Sequence, residues 1–340
     1  MRFFEWMLPR RMQANPQHEQ HVGEMLERVL AMVPRLRVAE RYQIRLASAI
    51  AAGLKYLEQL VADLPEPIKV GPLEWGLDPR VRAFFSSPAE LSLTLGRSSA
   101  LREFFTDAFG AAEAYAVLGM NLDERRRFGT VQEGDTTRAD VASTTVVFWD
   151  HQIPICARSV VELRREIVTR LVDQLALQGL SQMAHEEVRR EALMRDRALL
   201  AARVRLMQRR GIGLMSLVGS APELDNSALA RLREEIQANE RDLDRLGPLT
   251  ETLDRHAETM CDVFRNPGPL VHVHARSLRL SRMNVVLSHG SREVGDIVEF
   301  QIALVPGDPP RDRAFSLVRC TRSDVPAPVN LLQEAERWLG

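Results

Sequence analysis

From Leu229 to Phe264, apolar or small residues recur in alternating steps of three and four for five consecutive heptads, and this restricts the fold more than any other feature of the chain. Leu229, Ile236, Leu243, Thr250, Ala257 and Phe264 hold one heptad position; Leu232, Asn239, Leu246, Leu253 and Met260 hold the other. This is the period of a helix packed lengthwise against a long partner, so it speaks for assembly or internal pairing rather than chemistry. Gly247-Pro248 falls inside the stretch and predicts a kink or break, because proline removes a helical hydrogen bond and clashes with the preceding turn. Asn239 either occupies a core position, where it costs stability and fixes register or oligomer number, or it caps or faces solvent.

A second long helix lies upstream. Ser159-Val-Val-Glu162 has the spacing of a capping box, and from it Val160, Leu163, Ile167, Leu171 and Leu175 step by three and four in a charged helix reaching about Arg210. Beyond Gly179 the pattern loosens to Val188, Leu199, Ala202 and Leu206, with Arg and Glu residues on the opposite face. Gly211-Ile-Gly213 ends this helix, and Ser220-Ala-Pro-Glu223 caps the next. Two long helices with a short connection predict an antiparallel hairpin.

The N-terminal portion reads as mainly helical. Gln17 to Leu64 is helical with Pro34 dividing it, and Leu46, Ile50, Leu54, Leu57, Val61 and Leu64 form the stripe of its second half. Pro65 and Pro67 end it, and residues 65 to 80 read as an ordered loop. Ser87-Pro-Ala-Glu90 caps one helix, and Ser98 or Ser99 opens another whose apolar face runs from Leu101 through Phe104, Phe105, Ala108, Phe109 and Ala112 to Tyr115 and Ala116. Ser143 to Trp149 has the β-branched and aromatic content of a strand whose partner the sequence does not reveal.

Composition bounds the function. At 340 residues the chain can hold roughly two or three domains, and 45% apolar with 27% charged residues is a globular balance. A formal charge of −1 gives no overall attraction to nucleic acid or an anionic membrane. Cys156, Cys261 and Cys320 form neither a disulfide framework nor a zinc knuckle, which fits a reducing cytoplasm, and no apolar run reaches the length of a transmembrane helix. The opening Met1 to Arg11 mixes aromatics with arginines, a pattern that can touch a membrane interface but more often forms a helix docked on the body of the protein.

After Asn266-Pro-Gly-Pro269 the period changes to two. Leu270 to Leu280 alternates, Met283 to Leu287 is a short run, Val298, Phe300, Ile302 and Leu304 alternate, and Ala314 to Cys320 forms a last strand. These short antiparallel strands predict a small barrel or sandwich, closed by a helix from about Val329 to Leu339.

Three segments of this tail resemble the PilZ family, small bacterial β-barrels known as receptors for cyclic di-GMP. They are Arg279-Leu-Ser281-Arg-Met-Asn284, then Gly295 to Pro306, then Phe315-Ser-Leu-Val-Arg-Cys320. Ser281, Gly295, Pro306 and Val318-Arg319 match the family pattern, whereas Arg279 stands where the family has an acid and Asn284 where it has glycine. The arginine pair that precedes this segment in ligand-binding members is absent between Leu246 and Leu278. The likeness is therefore to atypical members that lack the ligand motif and carry heptad helices for assembly. If cyclic di-GMP is the ligand, the resemblance implies Arg276, Arg279 and Arg282 for its phosphates and Ser281 and Asn284 for base or backbone contacts, since guanidinium groups bind phosphate and stack on guanine.

Other constellations are weaker. His272 and His274 share one strand face and could bind a metal with a third ligand such as His289, as a metal-dependent enzyme would require; more often such histidines face solvent. His18-Glu-Gln-His21 misses the zinc-protease spacing by one residue, and Gly211-Ile-Gly213 lacks the strand and third glycine of a dinucleotide loop. The arginines from Arg189 to Arg210 are interleaved with Glu186, Glu187, Glu191 and Asp196 and read as a solvated face.

The reading is an α+β protein in three consecutive parts: a mainly helical domain at 1–155, a helical hairpin at 156–266, and a PilZ-like antiparallel β-barrel with a C-terminal helix at 267–340. It predicts a cytoplasmic, non-enzymatic signalling adaptor that assembles with itself and binds a protein partner, with no cofactor, metal or nucleic acid. The competing class is an oligomeric scaffold unrelated to PilZ.

Overall fold

The computed structural model describes residues 16–133, 136–213, 226–248, 251–288, 291, 293–305 and 311–326. The expected docking helix at 1–11, the cap at 220–223, the heptad residue Thr250, the candidate ligand His289 and the C-terminal helix lie outside the described residues. The chain is mixed helix and sheet, as expected, but it folds into two compact units that each take two separate stretches: 1–53 with 172–266, and 54–171 with 267–340. Among the described residues no helix is long and apolar enough to cross a membrane.

The first unit is helical. It contains α1 (Pro16–Met32), a 3₁₀ turn at Pro34–Val38, the first half of α2 (Tyr42–Ala62), most of α7 (Val160–Gly213), α8 (Asn226–Arg245) and α9 (Thr252–Arg265). Val22, Met25, Leu26, Val29 and Leu30 bury one face of α1 at helical spacing, and Ala257, Met260, Cys261 and Phe264 do so for α9. Glycines permit two close approaches. A Cβ on Gly53 would stand 2.8 Å from the Phe264 carbonyl oxygen, and one on Gly179 would stand 2.8 Å from the Met260 sulfur. Gly179 thus seats a side chain of α9 without interrupting α7.

The antiparallel hairpin is present. Arg190 donates to the Gly247 carbonyl at 2.9 Å just past the end of α8, whereas farther along α7 the Leu193 carbonyl accepts from the Asn239 side-chain amide at 3.0 Å and Arg197 pairs with Glu240 at 3.1 Å, so as α7 advances its partners step back from 247 to 239–240. The heptad stripe faces α7 of the same chain. Asn239 is a seam residue, buried beside half-buried Ile236 and Leu243. The expected break at Gly247-Pro248 separates α8 from α9; Gly247 has a φ of +65°, and the Arg190 guanidinium caps the carbonyls of Leu246 and Gly247.

The second unit is a sheet covered by short helices. In chain order it contains β1 (Ile68–Lys69), α3 (Glu74–Leu77), α4 (Pro79–Phe84), α5 (Pro88–Arg97), α6 (Ser99–Asp107), β2 (Glu113–Glu133), β3 (Thr136–Gln152), β4 (Cys156–Ala157), β5 (Val273–Leu280), β6 (Asp296–Val305) and β7 (Arg311–Thr321). The caps read from the sequence form: Ser87 accepts from the Glu90 amide at 3.2 Å, Ser98 from the Leu101 amide at 3.1 Å and Ser159 from the Glu162 amide at 3.2 Å.

The helix expected to continue to Ala116 stops at Asp107. Gly110 at a φ of +102° turns the chain, and Glu113 to Ala116 begin β2 instead. Small and aromatic residues at 111–116 satisfy either a helical face or an alternating strand, and pairing with β7 decides between them. The strand at Ser143–Trp149 belongs to β3, whose partner is β2.

The expected barrel is an open sheet of order β3-β2-β7-β6-β5, antiparallel along this path. Residues 285–286 lie between its edge strands but make only single bridges, Thr145 to Val285 and Leu280 to Val286, because the chain turns at Ser281–Asn284 instead of running on as a strand. Phe84, Phe148 and Phe300 meet edge to face, with centroids 5.1 to 6.5 Å apart, at the centre of the core that joins α4, β3 and β6.

Candidate binding site

The five residues singled out from the sequence sit on β5 and the turn that follows it. Ser281 is buried, and its hydroxyl oxygen accepts from the amides of Met283 and Val285 at 3.3 Å each, an arrangement that ties the turn to itself. Asn284 has a φ of +56°, and its side-chain amide donates to the Ala83 carbonyl at the end of α4, 2.8 Å away. Glycine and asparagine are the residues that take this backbone region most readily, which gives the departure at position 284 a physical account.

The three arginines differ in their engagement. Arg276 forms an ion pair with Glu124 on β2. Arg279 reaches across the next loop and donates to the carbonyls of Glu293 at 2.8 Å and of Ser288 and Ser291 at 3.4 Å each, so its charge holds the entry to β6. An acid at this position could not make these bonds, because a carboxylate accepts and does not donate. Arg282 is exposed and has no hydrogen bond or ion pair among the described residues.

Gly295 completes the turn. A Cβ there would meet the Leu287 side chain and stand 2.8 Å from the Leu280 carbonyl oxygen, so only glycine lets β6 start this close to the end of β5. Arg82 of α4 donates to Asp296 at 2.7 Å and anchors the helix to the same corner.

Around these anchors lies an open concavity lined by Leu77, Pro79, Arg82, Arg282, Met283, Glu293, Val294 and Asp296. Leu77, Met283 and Val294 are largely exposed, and Arg82 and Asp296 neutralise each other. The free cation of Arg282 therefore projects from an apolar rim. Sequence reading found Arg282 but missed Leu77 and Val294, which lie more than 200 residues apart on either side of it and carry no motif.

The remaining candidates stay apart from this corner. His272 and His274 have ring centroids 5.6 Å apart on exposed positions, and among the described residues no third group joins them in a metal-binding cluster. Burial pushes the thiols of Cys156 and Cys320 up to about 12, which keeps both protonated and poorly nucleophilic near neutral pH. Compared with known proteins, the chain matches no family model, no curated protein and no solved structure.

Proposed function

We propose that the chain is a non-enzymatic, cytoplasmic signalling adaptor whose second unit is an atypical PilZ-like domain that contacts a protein partner, and that the chain assembles with itself. One observation carries this reading. Ser281, Arg279 and Asn284 are engaged in bonds that build the turn, which leaves Arg282 and an apolar rim of Leu77, Met283 and Val294 as the accessible chemistry. A cyclic dinucleotide needs paired cations and base-edge donors, whereas a protein surface needs an exposed apolar patch with a charge to orient it. The likeness to PilZ is supported by Gly295, whose place the close approach to Leu280 demands, and by Asn284 in a conformation that glycine also takes.

Calorimetric titration with cyclic di-GMP, with the mass in solution measured on the same sample, tests the reading. No saturable heat from an oligomeric sample is expected. Saturable binding at micromolar or tighter concentration would make the chain a receptor, and Arg279→Ala with Arg282→Ala would then have to abolish it. If binding survives that pair, these residues are not the site.

A further inference from the structure

The heptad stretch of α8 is covered within the chain, but α7 carries a second stripe of the same period that nothing among the described residues covers. Leu193 and Leu200 line a groove with Glu235, Asn239 and Asp242 of α8, and Val204 and Met207 continue their stripe in helical phase, all four half-buried. On another face Val188, Ala192, Arg195, Leu199, Ala202 and Leu206 follow one another in steps of four and three, all exposed: Val188 67%, Leu199 52% and Leu206 56%, with Leu199 also bordering the groove lined by Glu235, Asn239 and Asp242 of α8. At 100° per residue the centres of the two stripes lie about 130° apart around the helix. A solvated helix face does not need large apolar residues in heptad phase, whereas a helix–helix seam does. Among the described positions of α8, no large apolar side chain is exposed.

We infer that this stripe is the seam of a homodimer in which α7 packs antiparallel on α7 of a second copy. The inference rests on the self-assembling reading above and names its surface. A heptad-phased stripe calls for a helix as partner, and a second copy presents the same stripe, which an isologous two-fold contact makes complementary to itself. An antiparallel pair centred near residue 197 sets Val188 against Leu206′ and Ala192 against Ala202′, and lays the aliphatic stem of Arg195 over Leu199′, primes marking the second copy. The alanine layers let the two backbones approach closely. Glu191 on one flank comes near Arg205′, while the other flank brings Arg189 toward Arg203′, and that repulsion keeps the dimer weak. The stripe runs about 28 Å along a helix about 10 Å wide, a footprint of about 280 Å² per copy, which is below the size of a standard interface and fits a weak, concentration-dependent dimer.

The test is sedimentation velocity of the full chain from about 2 to 200 μM, beside Leu199→Glu with Leu206→Glu. Both residues are exposed, so circular dichroism of the variant is expected to match the parent. A parent that dimerises with concentration, and a variant at least tenfold weaker, support the seam. A dimer unchanged in the variant overturns it while leaving self-assembly standing, and a parent monomeric throughout overturns both. Orientation is read separately with single-cysteine variants: Ala192→Cys mixed with Ala202→Cys cross-links in an antiparallel seam. Efficient cross-linking of Ala202→Cys with itself alone would mark a parallel one and overturn the arrangement.

Discussion

Asn284 holds the Ala83 carbonyl at 2.8 Å from a backbone φ of +56°, so a single residue both turns the chain after β5 and fastens that turn to the end of α4. Alanine at this position loses the hydrogen bond and is strained in the left-handed region; glycine loses only the bond. Asn284→Ala is expected to destabilise by about 2–4 kcal/mol and Asn284→Gly by roughly 1–2 kcal/mol, measured by urea unfolding. Equal losses would mean that the backbone conformation contributes nothing.

Gly295 makes the same corner intolerant of even one methyl group. Gly295→Ala sets a Cβ 2.8 Å from the Leu280 carbonyl, a backbone atom that cannot swing away, and a loss of about 1–3 kcal/mol is expected. An unfolding midpoint equal to that of the parent would show that the β5–β6 junction relaxes freely.

Two helical glycines predict different results from one substitution. Alanine normally stabilises a helix interior by about 0.5–1 kcal/mol relative to glycine. At Gly179 the new Cβ meets the flexible end of Met260, so Gly179→Ala is expected to stay within about 1 kcal/mol of the parent. At Gly53 it meets the Phe264 carbonyl, and Gly53→Ala is expected to cost about 1–3 kcal/mol. Thermal melts of the two variants compare them directly.

Acid should weaken the fold through two histidines. Burial lowers the pKa of His256, assisted by the neighbouring Arg35 guanidinium, and burial also lowers that of His151, against the opposing bond to the Phe84 carbonyl. The unfolded chain then takes up these protons more readily than the folded one. The stability they contribute is full above about pH 6.5 and falls as pH drops through the window between that value and the lower folded-state values. The urea midpoint is expected to decrease from pH 7.5 to 5.5, and His256→Gln should flatten that decrease. A slope unchanged in the variant would place the acid sensitivity elsewhere.

The helical pairing was legible because its signal is local and periodic: the heptads of α8, the break at Gly247-Pro248 and the capping serines at 87, 98 and 159 all stand where the pattern put them. The unit boundaries were not, because they depend on which strands pair across more than a hundred residues. Glu113 to Ala116 reads equally well as part of a helix, and only β7, nearly two hundred residues later, makes it a strand. The turn at Ser281–Asn284 could be recognised as special, since short polar residues between alternating segments signal a turn. The apolar rim could not, because Leu77 and Val294 are ordinary residues until the fold brings them beside Arg282.

β7 occupies the middle of the sheet yet is the last of its strands in the chain, and both β2 and β6 depend on it for pairing. During synthesis the β2–β3 hairpin leaves the ribosome with the β7-facing edge of β2 unpaired, and about 160 further residues must be added before that edge can be filled. At about 5–20 residues per second this is a delay of roughly 10–30 seconds. For that interval the nascent chain carries an open template for pairing with other strands, so the order of its segments makes crowded ribosomes, rather than the finished protein, the point at which this fold is most exposed to aggregation.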